Sequence, residues 1–389
     1  MSRVFKFNGS TIALVLLYVF AALPVVSSFN HIALYVTIPG AALLSLFSIR
    51  DRRQSKYMKV LCFLFLWIVF TSFFSYDVEL SFVWLRRVLA VFLLCFAVHQ
   101  LTKNNEFIPW VYLTWVIMYI SCLFYAQSVL ITDQIDYTTD RLNDSNLNAN
   151  TLAYYTFFTT YIVYYLGDVS KKLKRLFRLS FLLTIPLSFY VALITASRQV
   201  LLIQVPLILF FLYIRYIKES RGIKGWVFVL AFFIVASLVA SSIIQIYESS
   251  FLFQRSQIVI GEDIRAKLIR DGLKTGMDNL LTGVGIGCFG FYNYGHDTFA
   301  HNTYVELFAT TGIVGFLLYA YLLLSFVYTQ FKRYLVFKKT HYLVFMFVGL
   351  LYVVDNMFYV FHTDPWLMAF FILLTSHSEV IYKNERIRV

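Results

Sequence analysis

Three side chains of this sequence lie in short motifs suited to chemistry on a phosphorylated substrate. Arg198 follows a Thr-Ala-Ser tripeptide, Arg265 lies in a long polar segment, and His301 is followed by Asn302. Two arginines can bind a diphosphate and stabilise the charge that develops on it as it leaves. A neutral histidine can accept the proton of a sugar hydroxyl that attacks an anomeric carbon.

The segment that begins at His301 carries the signals of a helix start. Thr303 and Glu306 have the spacing of a capping box, which predicts a helix near Thr303. His301 and Asn302 would then lie at a helix N-terminus, where the dipole favours anions and nearby arginines disfavour a protonated histidine. We expect a neutral imidazole near pH 7; the alternative is a hydrogen-bonded interfacial histidine. For Arg198, the alternative is an anchor that reaches phospholipid headgroups.

No metal or cofactor is predicted. The sequence has no Asp-x-Asp pair, no histidine cluster and no Cys-x-x-Cys motif, and three of its four cysteines lie in apolar runs. The arginines would therefore replace the divalent cation that many diphosphate-handling enzymes use.

The composition indicates that membrane helices position these residues. Of 389 residues, 60% are hydrophobic and 14% are charged, and the mean hydropathy is +0.71. A soluble domain has about 45–50% apolar and about 25% charged residues. This difference excludes a soluble enzyme, a disordered chain and a nucleic-acid binder, although the net charge of +12 would otherwise suggest nucleic acid. The predicted fold is an all-α, polytopic integral membrane protein.

Apolar runs long enough to cross a bilayer predict about twelve transmembrane helices in a single domain, 1–389. They cover roughly 9–29, 31–48, 59–75, 79–101, 107–130, 149–166, 176–196, 199–216, 226–246, 302–328, 342–361 and 366–382. The first run follows Arg3 and Lys6 and is interpreted as an uncleaved helix rather than a signal peptide. The larger outer loop spans 247–301 and the smaller one spans 131–148.

The distribution of basic residues predicts the orientation. Five basic clusters, near 50–59, 171–178, 215–224, 332–339 and 383–388, fall on one side of a twelve-span topology. That side is predicted to be cytoplasmic, together with both termini. Nine basic residues lie outside or in outer half-spans: Arg86, Arg87, Arg141, Arg198, Arg255, Arg265, Lys267, Arg270 and Lys274.

The larger outer loop contains two local predictions. Residues 263–279 are predicted to form an amphipathic helix, with Ile264, Leu268 and Leu273 facing the bundle or the bilayer. Residues 283–290 contain a literal Gly-x-Gly-x-x-Gly, but no βαβ unit precedes it, which excludes a dinucleotide site. The glycines instead predict a tight loop packed on the helices.

Other polar residues in predicted spans leave alternatives open. Arg86 and Arg87 are predicted to line a path for a glycan-lipid, or else to form ion pairs within the bundle. Asp355 lies within a span, where an ionisable group indicates function. Its alternatives are a helix-helix hydrogen bond and pairing with Arg86 or Arg87. Gly312 and Gly315 are predicted to allow close helix packing.

Four stretches in order resemble the O-antigen ligase and O-antigen polymerase superfamily of bacterial envelope polysaccharide assembly. Residues 141–153 resemble its arginine followed by an asparagine-rich stretch, and 195–198 resemble its Thr-Gly-Ser-Arg, with alanine in place of glycine. Arg265 and the glycine-rich residues 281–289 resemble its arginine and loop, without its usual proline. Residues 300–315 give the best match to the family pattern.

The resemblance implies an inverting, metal-independent glycosyltransferase of the hexosyltransferase type with a bundle like that of the C-type glycosyltransferases. Its donor would be an undecaprenyl-diphosphate-linked glycan. Arg198 and Arg265 would bind the diphosphate, and His301 would position or deprotonate the acceptor; Arg255 and Arg270 are alternatives to Arg265.

The resemblance also implies substrate contacts and a location. Arg141, Asn150 and Asn302, which lie in the matching stretches, would add contacts to the substrate. Arg86 and Arg87 are predicted to do so from their position in a span. The site would face the periplasm from the inner membrane.

A polymerase that extends a lipid-linked repeat unit is the leading prediction. The alternatives are a ligase that transfers the glycan to lipid A-core and, from a different class, a lipid-linked oligosaccharide flippase. Further partners would be membrane lipids, a chain-length regulator and other polysaccharide-assembly proteins, without nucleic acid.

Overall fold

A computed structural model describes residues 9–23, 36–48, 54–136, 138, 140–142, 147–170, 172–218, 227, 230, 234, 241–257 and 264–386. These residues form helices and connecting turns, with no strand among them. The helices are α1 (Gly9–Ala22), α2 (Ile38–Ser48), α3 (Lys56–Ser72), α4 (Val78–Thr102), α5 (Ile108–Thr132), α6 (Ala149–Val169), α7 (Lys174–Thr195), α8 (Arg198–Leu212), α9 (Phe251–Ser256), α10 (Ile264–Asp278), α11 (Phe289–Tyr294), α12 (Thr303–Phe337), α13 (Thr340–Asp355) and α14 (Pro365–Arg386).

Five helices of the described part are long and apolar enough to cross a membrane. They are Val78–Thr102, Ile108–Thr132, Lys174–Thr195, Arg198–Lys218, in which a π-helical segment extends α8, and Thr303–Phe337. The prediction of an all-helical, multi-pass chain is therefore confirmed in these residues. The run predicted at 226–246 lies largely outside the described residues. The total of twelve spans, the side of each terminus and the single domain stay predictions.

The described residues fall into two compact units. Unit 1 comprises Met1–Phe20, Ser28–Thr114 and Ile260–Val389, and unit 2 comprises Ala21–Ser27 and Trp115–Val259. Unit 1 therefore holds α10 and α12, with Arg265 and His301, whereas unit 2 holds the turn that carries Arg198.

Unit 1 is built around α4 and α12. Helix α4 packs against α2, α3 and α14, while α12 packs against α3, α10 and α13. The C-terminal half of α12 is joined to α14 by Arg333, which donates to Ser378 Oγ at 3.0 Å and to Glu379 Oε1 at 2.8 Å. These contacts hold the helix that begins at Thr303 firmly within its unit.

Unit 2 has α6 packed against α7 and α8. The Gln204 side-chain amide on α8 donates to Thr160 Oγ1 on α6 and to Ser188 Oγ on α7, both at 2.9 Å. Nearby, the rings of Tyr164 and Phe211 stack with centroids 4.0 Å apart. This three-helix contact fixes the turn between α7 and α8, where Arg198 lies.

Candidate functional site

The turn that carries His301 is fixed at the start of α12. Asn302 is the N-cap, and its Oδ1 accepts hydrogen bonds from the backbone N–H groups of Tyr304 and Val305, at 3.0 and 3.2 Å. The predicted helix start at Thr303 is confirmed. The cap is Asn302 rather than Thr303, which leaves only the amide nitrogen of the Asn302 side chain to donate to a substrate.

His301 has a left-handed backbone conformation, with φ of +51°. This conformation costs a non-glycine residue about 1–2 kcal/mol. On one side of the turn, the Ala300 N–H donates to Glu306 Oε2 at 2.7 Å. On the other side, the Thr303 N–H donates to the Asn356 carbonyl at 2.9 Å. The surrounding hydrogen bonds therefore over-determine the turn, as is common at functional sites.

The hydroxyl of Thr303 ties this turn to the segment that follows α13. It donates to the Tyr359 carbonyl at 2.7 Å and accepts from the Phe361 N–H at 2.9 Å. Thr303 itself is fully buried. A residue that was singled out for capping thus serves instead as a bridge between two segments of unit 1.

The glycine-rich loop exchanges backbone hydrogen bonds with α12 at a kink. Gly312 has φ of +68° and ψ of −170°, and the N–H of Ile313 donates to the Leu280 carbonyl at 2.8 Å instead of to the Ala309 carbonyl one turn back. The Ala309 carbonyl accepts from the Val284 N–H at 2.9 Å. The loop thereby replaces the bond that the helix loses, since both the Ile313 N–H and the Ala309 carbonyl are paired with it.

The glycines of this loop are needed for close approach. Gly283, Gly285 and Gly287 all have positive φ, and a Cβ at any of them would overlap neighbouring atoms of the unit, including the Trp84 indole at Gly287. The Gly285 N–H donates to the Thr310 carbonyl at 2.9 Å. The predicted packing role is confirmed, and the N–H groups of Val284 and Gly285 both bond to carbonyls of α12.

Arg87 is brought next to the His301 segment through an aromatic side chain. Its guanidinium carbon lies 4.2 Å from the ring centroid of Trp84, in a cation–π arrangement. Trp84 in turn meets Phe299 edge-on, with centroids 5.3 Å apart. The contact chain therefore runs from Arg87 through Trp84 to the residue two positions before His301. Arg86, the preceding residue of α4, is also exposed.

Trp84 was missed by sequence reasoning. The signal was its spacing of three residues from Arg87, which places both side chains on one face of a helix. The same helix start is held by Ser81, whose hydroxyl donates to the Ile286 carbonyl at 3.1 Å. The N-terminal part of α4, the glycine-rich loop and the His301 turn thus form one end of unit 1.

Arg265 lies on the predicted amphipathic helix, which is confirmed as α10. Leu268, one turn later, packs in a cluster that includes Ala300 and Val305. Arg265 therefore lies on the helix that packs directly against the His301 turn, and its side chain is half-buried. Arg270 on the same helix is exposed, and the side chain of Arg255 lies outside the described residues.

The three apolar residues of α10 that were predicted to face the bundle or the bilayer differ in burial. Ile264 and Leu273 are 76% and 44% exposed in the structure, whereas Leu268 is buried. The buried face is completed by Gly272 and Gly276, where a Cβ would overlap Val305 and Phe308, respectively. Small residues, rather than large apolar ones, therefore permit α10 to approach α12 closely.

The α10 face near α11 carries a separate polar contact. The Tyr294 hydroxyl donates to Asp271 Oδ2, and Lys267 Nζ lies 5.6 Å from the centroid of the Tyr294 ring. Desolvation, followed by the hydrogen bond to Asp271, raises the pKa of Tyr294 to about 12. Lys267 and Asp271 thus both interact with Tyr294.

In unit 2, Arg198 is the first residue of α8 and is exposed. The preceding Ala196 has φ of +46° and ψ of +40°, a left-handed conformation that favours glycine. Its N–H donates to the Leu193 carbonyl at 3.2 Å and closes α7. This geometry explains why a glycine suits the position and how the turn presents Arg198.

Arg141 is brought close to this same turn. The Leu142 N–H donates to the Ile194 carbonyl at 2.7 Å, which attaches the Arg141 segment to the end of α7. Asn150 lies in the first turn of α6, where its N–H donates to Asn148 Oδ1 at 2.9 Å. Unit 2 therefore gathers Arg141 and Arg198, with residues 143–146 outside the described part.

Asp355 does not pair with an arginine of α4. It is buried at the end of α13, and among described residues Arg86 and Arg87 have no carboxylate within ion-pair distance. Its neighbour Asn356 accepts from the Tyr319 hydroxyl at 2.6 Å. The predicted pairing alternative is therefore wrong for these residues.

Two titratable side chains lie between α13 and α14. Burial lowers the pKa of His362 to about 3 and raises that of Asp364 to about 6.

The described residues contain no group of three or more His, Cys, Asp or Glu side chains arranged to hold a metal ion. The metal-free step stays a prediction.

In comparisons with known proteins, residues 179–320 match the family model described as O-antigen ligase. No curated protein matched the sequence. The matched segment contains Arg198, Arg265 and His301, the glycine-rich loop and the Gly312 kink.

Proposed function

We propose, from its resemblance to the O-antigen ligase and polymerase superfamily, that this chain is a glycosyltransferase of surface-polysaccharide assembly. The proposed reaction transfers an undecaprenyl-diphosphate-linked glycan onto a lipid-linked repeat unit. The observation that carries the proposal is the left-handed His301 at the start of α12, beside the Arg87–Trp84–Phe299 contacts and the helix of Arg265.

The reaction breaks one bond and forms another at the anomeric carbon of the donor glycan. A hydroxyl of the acceptor sugar attacks that carbon, and the bond to the diphosphate oxygen breaks with inversion. His301 accepts the hydroxyl proton. Arg198 and Arg265 stabilise the negative charge that collects on the leaving diphosphate.

The remaining residues are proposed to bind the donor and acceptor. Arg141 lies beside the Arg198 turn and supplies further positive charge, while Asn150 adds a side-chain amide. Arg87 contacts the glycan or its diphosphate beside the His301 segment, and Arg86 extends that surface. Asn302 donates through its amide nitrogen, since its oxygen caps α12.

The proposed location is the bacterial inner membrane, with the site facing the periplasm. The apolar helices and the family match support a multi-pass protein in a membrane. Membrane lipids surround it, and the lipid-linked glycan reaches the site from the bilayer. A chain-length regulator and other polysaccharide-assembly proteins are proposed partners.

A ligase that transfers the glycan to lipid A-core is the second candidate, favoured by the description of the matched family. The donor chemistry of ligase and polymerase is the same, so the arginines serve both. A flippase for lipid-linked oligosaccharides is less favoured, because the charged motifs cluster at helix ends rather than in the middle of the spans.

The acceptor requirement distinguishes these functions. Purified protein in lipid vesicles is incubated with lipid-linked repeat units alone, and the glycan products are separated by size. A ladder of longer lipid-linked products supports the polymerase. Product that forms only after addition of lipid A-core identifies the ligase. Transport of the donor without any new glycosidic bond identifies the flippase and overturns the proposal.

A further inference from the structure

We propose that Glu306 is a positioning residue that holds His301 in its working conformation. The inference rests on the proposed function, because it assumes that His301 accepts the proton of the sugar hydroxyl. It concerns a carboxylate one turn along α12, which the reaction itself does not use.

The contacts of Glu306 place its carboxylate beneath the His301 turn. The side chain is 2% exposed, and Oε2 accepts from the Ala300 N–H at 2.7 Å. The Glu306 backbone N–H donates to the Asn302 carbonyl at 2.9 Å as part of the first helical turn. Glu306 therefore bonds to the residue before His301 through its side chain and to the residue after it through its backbone.

The conformation of His301 requires such support. A non-glycine residue with φ of +51° persists only where its neighbours over-determine the backbone. Asn302 and Thr303 fix the downstream side of the turn by capping α12 and by bonding to residues 356, 359 and 361. On the upstream side, the side chain of Glu306 accepts a hydrogen bond from the Ala300 N–H. Loss of this bond would leave the backbone of His301 fixed on its downstream side only.

Burial of an acidic side chain near a helix start also has a physical benefit. The Ala300 N–H is buried and needs a hydrogen-bond acceptor. The side chain of Glu306 supplies that acceptor, which offsets part of the cost of burying a polar group. The proposed role therefore requires a hydrogen-bond acceptor in the side chain of residue 306 and does not require acid–base chemistry there.

The first test distinguishes a role of the Glu306 side chain as a hydrogen-bond acceptor from a role of its acidic group. Glu306→Gln retains a side-chain oxygen that can accept from Ala300, whereas Glu306→Met matches the length and lacks an acceptor. The expected kcat of purified Glu306→Met is about 10- to 100-fold below wild type, with donor KM within about twofold. Glu306→Gln should stay within about threefold of wild type. Glu79→Gln, an exposed position at the start of α4, is the matched control.

The second test asks whether Glu306 acts through His301. In a His301→Ala background, Glu306→Met should lower the residual rate by less than about twofold, because residues that act as a unit are not additive. An equal loss in both backgrounds, or a wild-type kcat in Glu306→Met, would overturn the inference. Glu306→Leu is measured alongside, and its melting temperature reports folding.

The two levels of the proposal can fail separately. If His301→Ala keeps the wild-type rate, the proposed base is wrong whatever Glu306 does. If His301→Ala loses activity while Glu306→Met and Glu306→Leu keep it, only the positioning role is wrong. Equal losses in Glu306→Gln and Glu306→Met would also contradict the role as a hydrogen-bond acceptor.

Discussion

The exchange of hydrogen bonds at Gly312 predicts a large effect of adding one methyl group. Gly312→Ala places a Cβ against the Leu281 carbonyl, so the glycine-rich loop must move away from α12. Three backbone hydrogen bonds join the two segments here, at 2.8 to 2.9 Å: Ile313 to Leu280, Val284 to Ala309 and Gly285 to Thr310. All three depend on the close approach.

The expected cost has two parts. The backbone of Gly312, with φ of +68° and ψ of −170°, lies in a region that is nearly restricted to glycine, which costs an alanine about 1–3 kcal/mol. Loss of three hydrogen bonds adds about 1 kcal/mol each. The sum is about 4–6 kcal/mol, or a decrease of about 5–10 °C in melting temperature for a chain of this size.

Gly295→Ala is the matched control. Gly295 also has positive φ, at +73°, but a Cβ there meets no atom within 4 Å. Only the conformational cost of about 1–2 kcal/mol remains, equivalent to about 1–3 °C. Melting of the purified variants in one detergent compares the two. If Gly312→Ala and Gly295→Ala melted within about 2 °C of each other, the proposed hydrogen bonding between the glycine-rich loop and α12 would be refuted.

Three further predictions concern the Arg198 turn, the Arg87 contact with Trp84, and the metal. Ala196→Gly should retain activity and raise stability by up to about 1 kcal/mol, because it relieves a left-handed alanine; a lower melting temperature would contradict this geometry. Arg87→Ala should raise the donor KM by about 3- to 10-fold and more than Arg86→Ala does, because Arg87 stacks on Trp84 beside the His301 segment; equal KM values would count against that assignment. EDTA should leave the rate unchanged, whereas loss restored by magnesium or manganese would disprove the metal-free reaction.

The sequence predicted those features that depend on local spacing. Helix α10 was expected over 263–279 and is observed at Ile264–Asp278, and α12 begins at Thr303 as its capping signals indicated. The packing role of the glycine-rich loop also follows from its composition, since several adjacent glycines permit close backbone approach. These are short-range properties of the chain.

Features that depend on distant segments were not predictable. The buried face of α10 uses Gly272 and Gly276, which give no hydropathy signal, and the sequence alone did not distinguish buried Leu268 from exposed Ile264 and Leu273. The hydrogen bond that the Ala300 N–H donates to Glu306 depends on the turn at His301, whose positive φ has no residue-type signature. Tertiary packing therefore decides which of the candidate polar residues are held in place.

The candidate arginines show the same division. Its members were found because basic residues on the predicted outer side are exceptional. The attachment of Arg141 to the α7 end, through Leu142 and Ile194, required the structure. So did the distinction between Arg87, which stacks on Trp84, and Arg86.

The rate of glycan transfer from a lipid-diphosphate donor, measured with purified variants, tests the central claim most directly. Arg198→Ala and Arg265→Ala should each lower kcat/KM by about 100-fold or more, since each removes charge stabilisation of the leaving diphosphate. Arg270→Ala, an exposed arginine on the helix of Arg265, should stay near wild type. Wild-type rates in Arg198→Ala and Arg265→Ala, with both proteins folded and inserted, would contradict the account.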